Sequence, residues 1–506
     1  MTFDPESPSA PRRVADPDPT SGGGAPRRTT GELSFGSAIG WTALGTLIPG
    51  LGLWRAGRRV IGAVLMGVFV VLVAGGFTLL VTSRKLVETF ALQPNVLEGV
   101  AIAMLTIAVL YVALIALTHL ALRPSAPTTA QRAVGALVVA ALSFVVAAPM
   151  ALGSSYAWTT ANLVNNVFGA DETPTGTQPT VSPEDPWKDK ARINFLLLGG
   201  DHDSGRKAAL GNRTDTVIVA SVDTHTGATT LFTLPRNTAR MPFPKSSPLH
   251  KYYPNGFYDG VNPANAEYFL NAMYRNVPNR VPNDVLGKTK DFGAEVMKQS
   301  VGEALGLDID YFAMVNMDGF KDFINAIGGI TVNINYRIPI GGQTDAHVLP
   351  DGYLEPGKNQ HLNGRLALWY ARGRYGLDDY KRMERQRCVI NAVVQQTTPL
   401  NVLQNYQSIA AAGQKTITTD VPRAMLPALV ELADKVKNTK LRSVVFTPGT
   451  AGFYSSNPNW DKVQARVTKA LKETKSDVEA SADPTAKTTK KKSDDLDKVC
   501  GYHPES

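Results

Sequence analysis

The chain has 506 residues and a formal net charge of +8, with 52 Lys and Arg against 44 Asp and Glu. That length exceeds one compact core, so at least two structural units are expected, and the mild basic excess favours anionic partners without naming one. The only cysteines are Cys388 and Cys500, which excludes a disulfide-dense scaffold and a CxxC metal site.

Residues 1–34 are polar and rich in Pro, Gly, Ser and Arg. They predict a disordered cytoplasmic tail and show no cleavable signal peptide. Residues 35–155 read as a membrane region. Three stretches, 60–81, 100–122 and 133–152, reach the length a membrane-crossing helix needs. A fourth, 35–54, is apolar but broken by Gly40, Gly45, Pro49, Gly50 and Gly52. It is expected to be re-entrant or interfacial, with a fourth span as the alternative, because unsatisfied backbone is penalised in lipid.

Arg55, Arg58 and Arg59 precede the first clear span, and Arg123 and Arg132 flank the loop between the second and third. The positive-inside rule puts both regions in the cytoplasm and outweighs Arg84 and Lys85. Everything after residue 153 then lies outside the cell, with three spans or with four. His119 has no charged partner within the spans, so a packed or interfacial histidine is expected rather than a proton relay.

A linker rich in Thr, Pro and acidic residues covers 156–190, and a globular unit is expected over 191–470. Apolar runs predict strands at 193–198, 216–222 and 229–234, the last two joined by a turn through Asp223 and Gly227. Helices are expected at 292–305, 318–327, 379–396 and near 425–436, with further strands at 330–336 and 442–446. The fold class is therefore α/β, a central mixed β-sheet flanked by helices. Residues 471–506, rich in Lys, Asp, Ser and Thr, read as a flexible C-terminal tail.

Antiparallel pairing sets the start of one strand beside the end of its neighbour. Arg213 and Asp215, entering the second strand, are therefore expected near Arg236, which leaves the third. Asp201 closes the first strand and joins them if that strand pairs the same way. Two carboxylates beside two guanidiniums suit a divalent cation and the phosphates it carries.

The segment YARGRYGLDDYKRMERQR (370–387) holds five arginines: Arg372, Arg374, Arg382, Arg385 and Arg387. Guanidinium forks grip phosphate oxygens in pairs, and clustering them costs Coulomb repulsion unless an anion such as a di- or polyphosphate resolves it. Arg372 and Arg374 share a direction if the chain is extended there. A turn at Gly376 leads into a helix capped by Asp378 or Asp379, on which Asp379, Arg382 and Gln386 share a face beside Arg385. Met383, Ile390 and Val394 face the core. Taken singly each arginine reads as a surface residue, and His202 as solvent-exposed; the case rests on their meeting in one domain. A nucleic-acid partner is disfavoured, since the spans separate this domain from the cytoplasm and no aromatic stacking platform is evident. Both cysteines lie on the outer side, where disulfides persist, and Cys388 is expected to pair with Cys500 and pin the tail.

The runs INFLLLGGD (193–201), NRTDT (212–216), LFTLPRNT (231–238), VNMDGFKDFINAIGGITVNI (315–334), LNGRLALWYARGRY (362–375) and DDYKRMERQR (378–387) resemble the LytR-CpsA-Psr family, in its actinobacterial multi-span type. The resemblance implies a multi-pass cell-membrane protein with an extracytoplasmic catalytic domain. It implies a phosphotransferase that moves a glycopolymer from a polyprenyl-pyrophosphate carrier to the muramic acid C6 hydroxyl of peptidoglycan, using Mg2+ or Mn2+. Asp201 and Asp215 resemble the metal pair. Arg213, Arg236, Arg372, Arg374, Arg382 and Gln386 resemble the substrate contacts, and Arg236, Arg372, Arg374, Asp379, Arg382 and Arg385 the catalytic set. The family's prenyl tail lies in an apolar pocket beneath the sheet. Two alternatives stay open: a polyprenyl-pyrophosphate phosphohydrolase, and a non-catalytic prenyl-phosphate-binding regulator that would have no need of Asp201 and Asp215. The family pattern Pro-Arg-Asp reads Pro235-Arg236-Asn237 here, which puts a base or metal-shell role at that position in doubt. The general base is not identified, and arabinogalactan, teichoic acid and capsule all present the same diphosphate.

Overall fold

The computed structural model describes residues 33–82, 93–168, 176–179, 186–188, 190–201, 213–262, 264–344, 346–397, 405–482 and 495–504. The expected N-terminal tail up to residue 32, and His202, lie outside them. The described residues fall into two compact units, drawn from Met1–Ala74 with Val109–Ala147 and from Gly75–Ala108 with Ala148–Ser506.

The N-terminal helices are α1 (Phe35–Leu47), α2 (Leu51–Arg55), α3 (Arg59–Thr82), α4 (Pro94–Leu122) and α5 (Thr129–Val167). Three of these, α3, α4 and α5, are long and apolar enough to cross a membrane. Helix α1 has 13 residues. At 1.5 Å per residue it covers about 20 Å, short of a hydrocarbon core of about 30 Å. The break between α1 and α2 falls at the Pro49-Gly50 pair that interrupts the apolar pattern. Helix α5 runs well past residue 156, where composition places the start of a linker. Ala157, Ala161 and Val164 are buried at helical spacing there, so an amphipathic stripe carries the helix into the linker region.

The second unit is built on a six-stranded sheet of order β10-β3-β2-β1-β4-β9. Its strands are β1 (Arg192–Gly200), β2 (Thr214–Asp223), β3 (Thr229–Thr233), β4 (Tyr311–Val315), β9 (Ile417–Thr419) and β10 (Arg442–Val445). Pairing is antiparallel for β1 with β2, β2 with β3 and β4 with β9, and parallel for β1 with β4 and β3 with β10. The mixed sheet and the elements expected at 193–198, 216–222, 229–234, 292–305, 318–327, 379–396 and 442–446 are all present, each to within a few residues.

Strand alternation sorts the two faces. Leu196, Leu198, Val217, Val219 and Phe232 turn to one side, where they pack with α6 (Leu270–Asn276), α7 (Phe292–Leu305) and α13 (Trp460–Ala482) in the main core. Leu197, Ile218 and Ala313 turn to the other side and stand in register across β2, β1 and β4. That face looks toward α8 (Met317–Ala326), α9 (Gly364–Arg372) and α10 (Asp379–Gln396), and the space between sheet and helices becomes the site described below. A second apolar cluster joins α8, α9 and α10 to the small antiparallel pair β5 (Ile330–Ile334) and β8 (Gly357–Leu362). Helix α9 starts hard against α8: a Cβ at Gly364 would lie 2.0 Å from the Lys321 carbonyl oxygen, so only glycine fits.

Helix α13 continues past residue 471 to Ala482, where composition suggested a flexible tail. Val463, Val467 and Ala470 bury its inner stripe, a pattern masked by the lysine-rich outer face. The chain end is also held. Leu496 is fully buried beside Ile218, Leu231 and Leu441, and Asn333 donates to the Cys500 carbonyl at 2.9 Å. Cys388 and Cys500 form a disulfide across a separation of 112 residues. Residues 483–494 lie outside the described residues. A link closing so long a loop restricts the unfolded chain, although measured gains fall short of the loop-entropy value. Cys500→Ser is expected to lower stability by about 2 kcal/mol, seen as an earlier chemical-denaturation midpoint that reductant no longer shifts.

Candidate functional site

A cavity of about 480 Å³ opens between the sheet face and helices α8 to α10. Its floor is apolar, formed by Leu197, Ile218, Ala313, Val315, Phe320 and Val389. Its mouth carries Asp201, Arg213, Asp215, Arg236, Arg372, Arg374, Arg382 and Gln386. All eight were expected at the site, and the ends of three strands, the end of α9 and the inner face of α10 bring them together.

The two aspartates and their arginines meet as strand geometry requires. Asp201 and Arg213 close the β1–β2 end through a reciprocal pair, Asp201 N to Arg213 O at 3.1 Å and Arg213 N to Asp201 Oδ1 at 3.0 Å. Arg236, three residues beyond the end of β3, places Nη1 2.9 Å from Asp215 Oδ1. Its Nε lies 3.4 Å from Asp379 Oδ1, and Arg382 Nη2 is 2.9 Å from that same oxygen. The result is an alternating chain, Asp215–Arg236–Asp379–Arg382, that fixes both guanidiniums before any ligand arrives.

Helix α10 presents this chain because Gly376, at φ +71°, turns the backbone and Asp378 caps the first turn by accepting from Lys381 N at 2.8 Å. Arg382 and Gln386 are buried one turn apart on its inner face. The segment carrying Arg372 and Arg374 is not extended. Helix α9 runs to Arg372, and Gly373 breaks it, yet both side chains still line the cavity. Two of the expected catalytic residues stand behind the lining. Asp379 bridges Arg236 and Arg382, while Arg385 donates to the Gly373 carbonyl and, at 3.1 Å, to the Tyr336 hydroxyl. Arg385 therefore holds the turn between Arg372 and Arg374. Arg387 leaves the cluster altogether and donates to Ser443 on β10. Asn237 is exposed and does not line the cavity.

Electrostatics follow from this crowding. Burial alone would raise the Asp215 carboxyl, but the charges of Arg236 and Arg382 and hydrogen bonds from Arg236 and Asn271 outweigh it and hold it below the usual range. Arg374 is shifted down by desolvation and by its neighbours Arg236 and Arg382. Even with Asp379 and Glu267 counted beside Asp201 and Asp215, the five arginines of the mouth outnumber their carboxylates and leave a positive field at the cavity.

Pattern reading missed Asn271 and Glu267. Asn271 lines the cavity on α6, gives Nδ2 to Asp215 at 3.4 Å and keeps a buried Oδ1 with no partner. Glu267 takes the guanidinium of Arg213 and, at 2.5 Å, that of Arg275, so Arg213 reaches the site already paired. The spacing of Leu270, Met273 and Val277 is the helical signal that would have placed Asn271.

A resident divalent cation can be tested against these donors. Among the described residues no group of three or more His, Cys, Asp or Glu side chains forms a metal cage. Two carboxylates, with the orphan Asn271 Oδ1 nearby, instead match a magnesium-type ion that completes its shell with substrate phosphate and water. The orphan Nε of buried Arg382 likewise awaits an acceptor.

The family model described as the LytR_cpsA_psr family matches residues 164–476. A polyisoprenyl-teichoic acid–peptidoglycan teichoic acid transferase of Enterococcus faecalis is 28% identical over 277 residues, 54% of this chain and 74% of that protein. Biofilm regulatory protein A of Streptococcus mutans is 27% identical over 268 residues, 52% and 58% of the two chains. Among solved structures, protein gbs0355 from Streptococcus agalactiae matches at 26% identity and a TM-score of 0.41, covering 57% of this chain and 90% of that one.

Proposed function

The chain belongs to the LytR-CpsA-Psr family, and from that premise we propose that it is a phosphotransferase of cell wall assembly. It takes a glycopolymer from a polyprenyl-pyrophosphate carrier and joins it to peptidoglycan, at the C6 hydroxyl of muramic acid. The observation that carries the reading is the cavity itself: a mouth of five arginines and two aspartates over an apolar floor fits an amphiphile with a diphosphate head and a hydrocarbon tail. The names of the teichoic acid transferases among the relatives support the glycopolymer as cargo. The three apolar helices support anchoring as a multi-pass membrane protein, with the catalytic domain on the extracytoplasmic side.

In this reading the acceptor hydroxyl attacks the sugar-proximal phosphorus and gives up its proton to water, a new P–O bond forms, and polyprenyl phosphate leaves with the electrons of the broken bridge. Such transfer needs alignment and charge stabilisation more than covalent help. Arg382 and Arg236, locked by Asp379 and Asp215, meet the charge that grows on the leaving phosphate. Arg372 and Arg374 add to the same cationic mouth, and Gln386 orients a phosphate oxygen. Magnesium or manganese, held by Asp201 and Asp215, would neutralise diphosphate charge when bound.

The test uses the purified full chain, lipid-linked polymer donors and nascent peptidoglycan, with magnesium added or chelated. The expected result is polymer bound to peptidoglycan, one polyprenyl phosphate released per linkage, and loss of at least about 100-fold in rate on chelation. Diphosphate cleavage at the same rate without an acceptor would instead identify a hydrolase.

A further inference from the structure

The first unit contains a second cavity, apolar with a few polar groups, that the transferase reading leaves unused. It has a volume of about 280 Å³ and lies where α4 ends and α5 begins. His119, Arg123, Gln131 and Arg132 supply its polar lining, and Leu120 and Val139 are among its apolar walls.

His119 is built into this place. It is 8% exposed, and its Nδ1 lies 3.3 Å from the Thr42 hydroxyl. The single Thr42 hydroxyl hydrogen goes to the Ala38 carbonyl at 2.8 Å, so Nδ1 is the donor to Thr42. On the other side the ring fills the gap left by Gly135: a Cβ there would stand 2.5 Å from Nε2. Gln131 is fixed by a reciprocal cap, its Oε1 accepting from Thr128 N at 3.0 Å and its own N donating to Thr128 Oγ1 at 3.2 Å. That leaves its amide hydrogens as donors.

The charge is one-sided. Between them the described residues of this unit contain Arg55, Arg58, Arg59, Arg123 and Arg132 and not one Asp or Glu. Arg123 and Arg132 have no ion-pair partner among the described residues. Topology alone asks only that arginines sit near the end of a span; it does not ask for two of them around a walled cavity with a buried histidine and an oriented amide. Basic pockets between membrane helices take anionic lipid head groups.

We propose that this cavity binds the phosphate head of an anionic membrane lipid, with Arg123 and Arg132 on the phosphate, the Gln131 amide donating to it, and one chain lying along Leu120 and Val139. The site rests on the reading of α4 and α5 as membrane helices, and not on the transferase activity. The shared chemistry is a lipid-borne phosphate, which either a phosphatidylglycerol diester or a prenyl phosphate monoester supplies.

The experiment measures binding of phosphatidylglycerol, farnesyl phosphate and phosphatidylcholine to the full chain in neutral detergent. Wild type should prefer at least one anionic lipid over phosphatidylcholine by about thirtyfold, equivalent to about 2 kcal/mol for two arginines. The tighter of the two anionic lipids identifies the source. Arg123→Gln with Arg132→Gln should abolish the preference for phosphatidylglycerol and remove the share of farnesyl phosphate binding that the extracytoplasmic cavity does not hold, while Arg58→Gln with Arg59→Gln, an equal loss of charge at exposed positions outside the cavity, should keep both. No preference in wild type, or equal loss in both double variants, overturns the proposal. A photoreactive phosphatidylglycerol or farnesyl phosphate on wild type supplies a check that needs no variant. Adducts within residues 116–139 support the site, and adducts confined elsewhere sink it.

Discussion

Arg382→Ala is expected to lower glycopolymer transfer at least about 100-fold, the usual cost of a lost charge-stabilising donor, and to leave the fold in place. Arg382 is 3% exposed, capped by Asp379 at 2.9 Å, and its Nε has no partner. A buried guanidinium with one side paired and the other unsatisfied is preorganised for an incoming acceptor. Its removal does not strand Asp379, which keeps Arg236 at 3.4 Å. The stability cost is therefore small, and the melting temperature should fall by about 5 °C or less. Arg382→Lys restores the charge but not the planar fork, so it should recover only part of the rate. Transfer at the wild-type rate in the alanine variant would remove Arg382 from the site assignment.

What the sequence made legible follows from how local each signal is. Hairpin logic alone brought Asp201, Arg213, Asp215 and Arg236 to one sheet edge, because pairing of adjacent strands fixes which ends meet. The arginine helix was legible for the same reason: Gly376 and Asp378 mark its start, and Arg382 and Gln386 lie four apart. Less local features stayed hidden. The strand Tyr311–Val315 enters the sheet beside β1 in parallel, and five residues carry too little period to show it. Asn271 and Glu267 act through Asp215 and Arg213, residues more than fifty positions away. The split between arginines that face the cavity and those that brace it was also invisible. Arg385 and Arg387 share the helix and its charge with Arg382, and only the positions of Gly373 and Ser443 decide what each one holds.

Asp215→Asn is expected to be nearly as damaging as the loss of Arg382, and it separates charge from shape. Asn is isosteric with Asp and still accepts a hydrogen bond through one oxygen. It no longer balances Arg236, whose guanidinium is held above its ordinary value chiefly by the Asp215 charge acting against burial. Divalent-ion affinity should fall at least tenfold and transfer about 100-fold, with added manganese recovering part of the rate. The pH dependence gives an independent check. Because the Asp215 carboxyl is depressed in the folded protein, it binds its proton more weakly than in the unfolded chain. Its contribution to stability is complete above the unfolded value of about 3.9 and is lost as pH falls through the lower folded value. Wild type should therefore exceed Asp215→Asn in stability by a constant margin from neutral pH down to about pH 4, and the two should converge in stronger acid. Chemical denaturation of both proteins across that range measures the margin. A gap that widened as the pH dropped below 4 would mean that Asp215 is not held ionised by its arginines, and the charge chain through Asp379 to Arg382 would need to be redrawn.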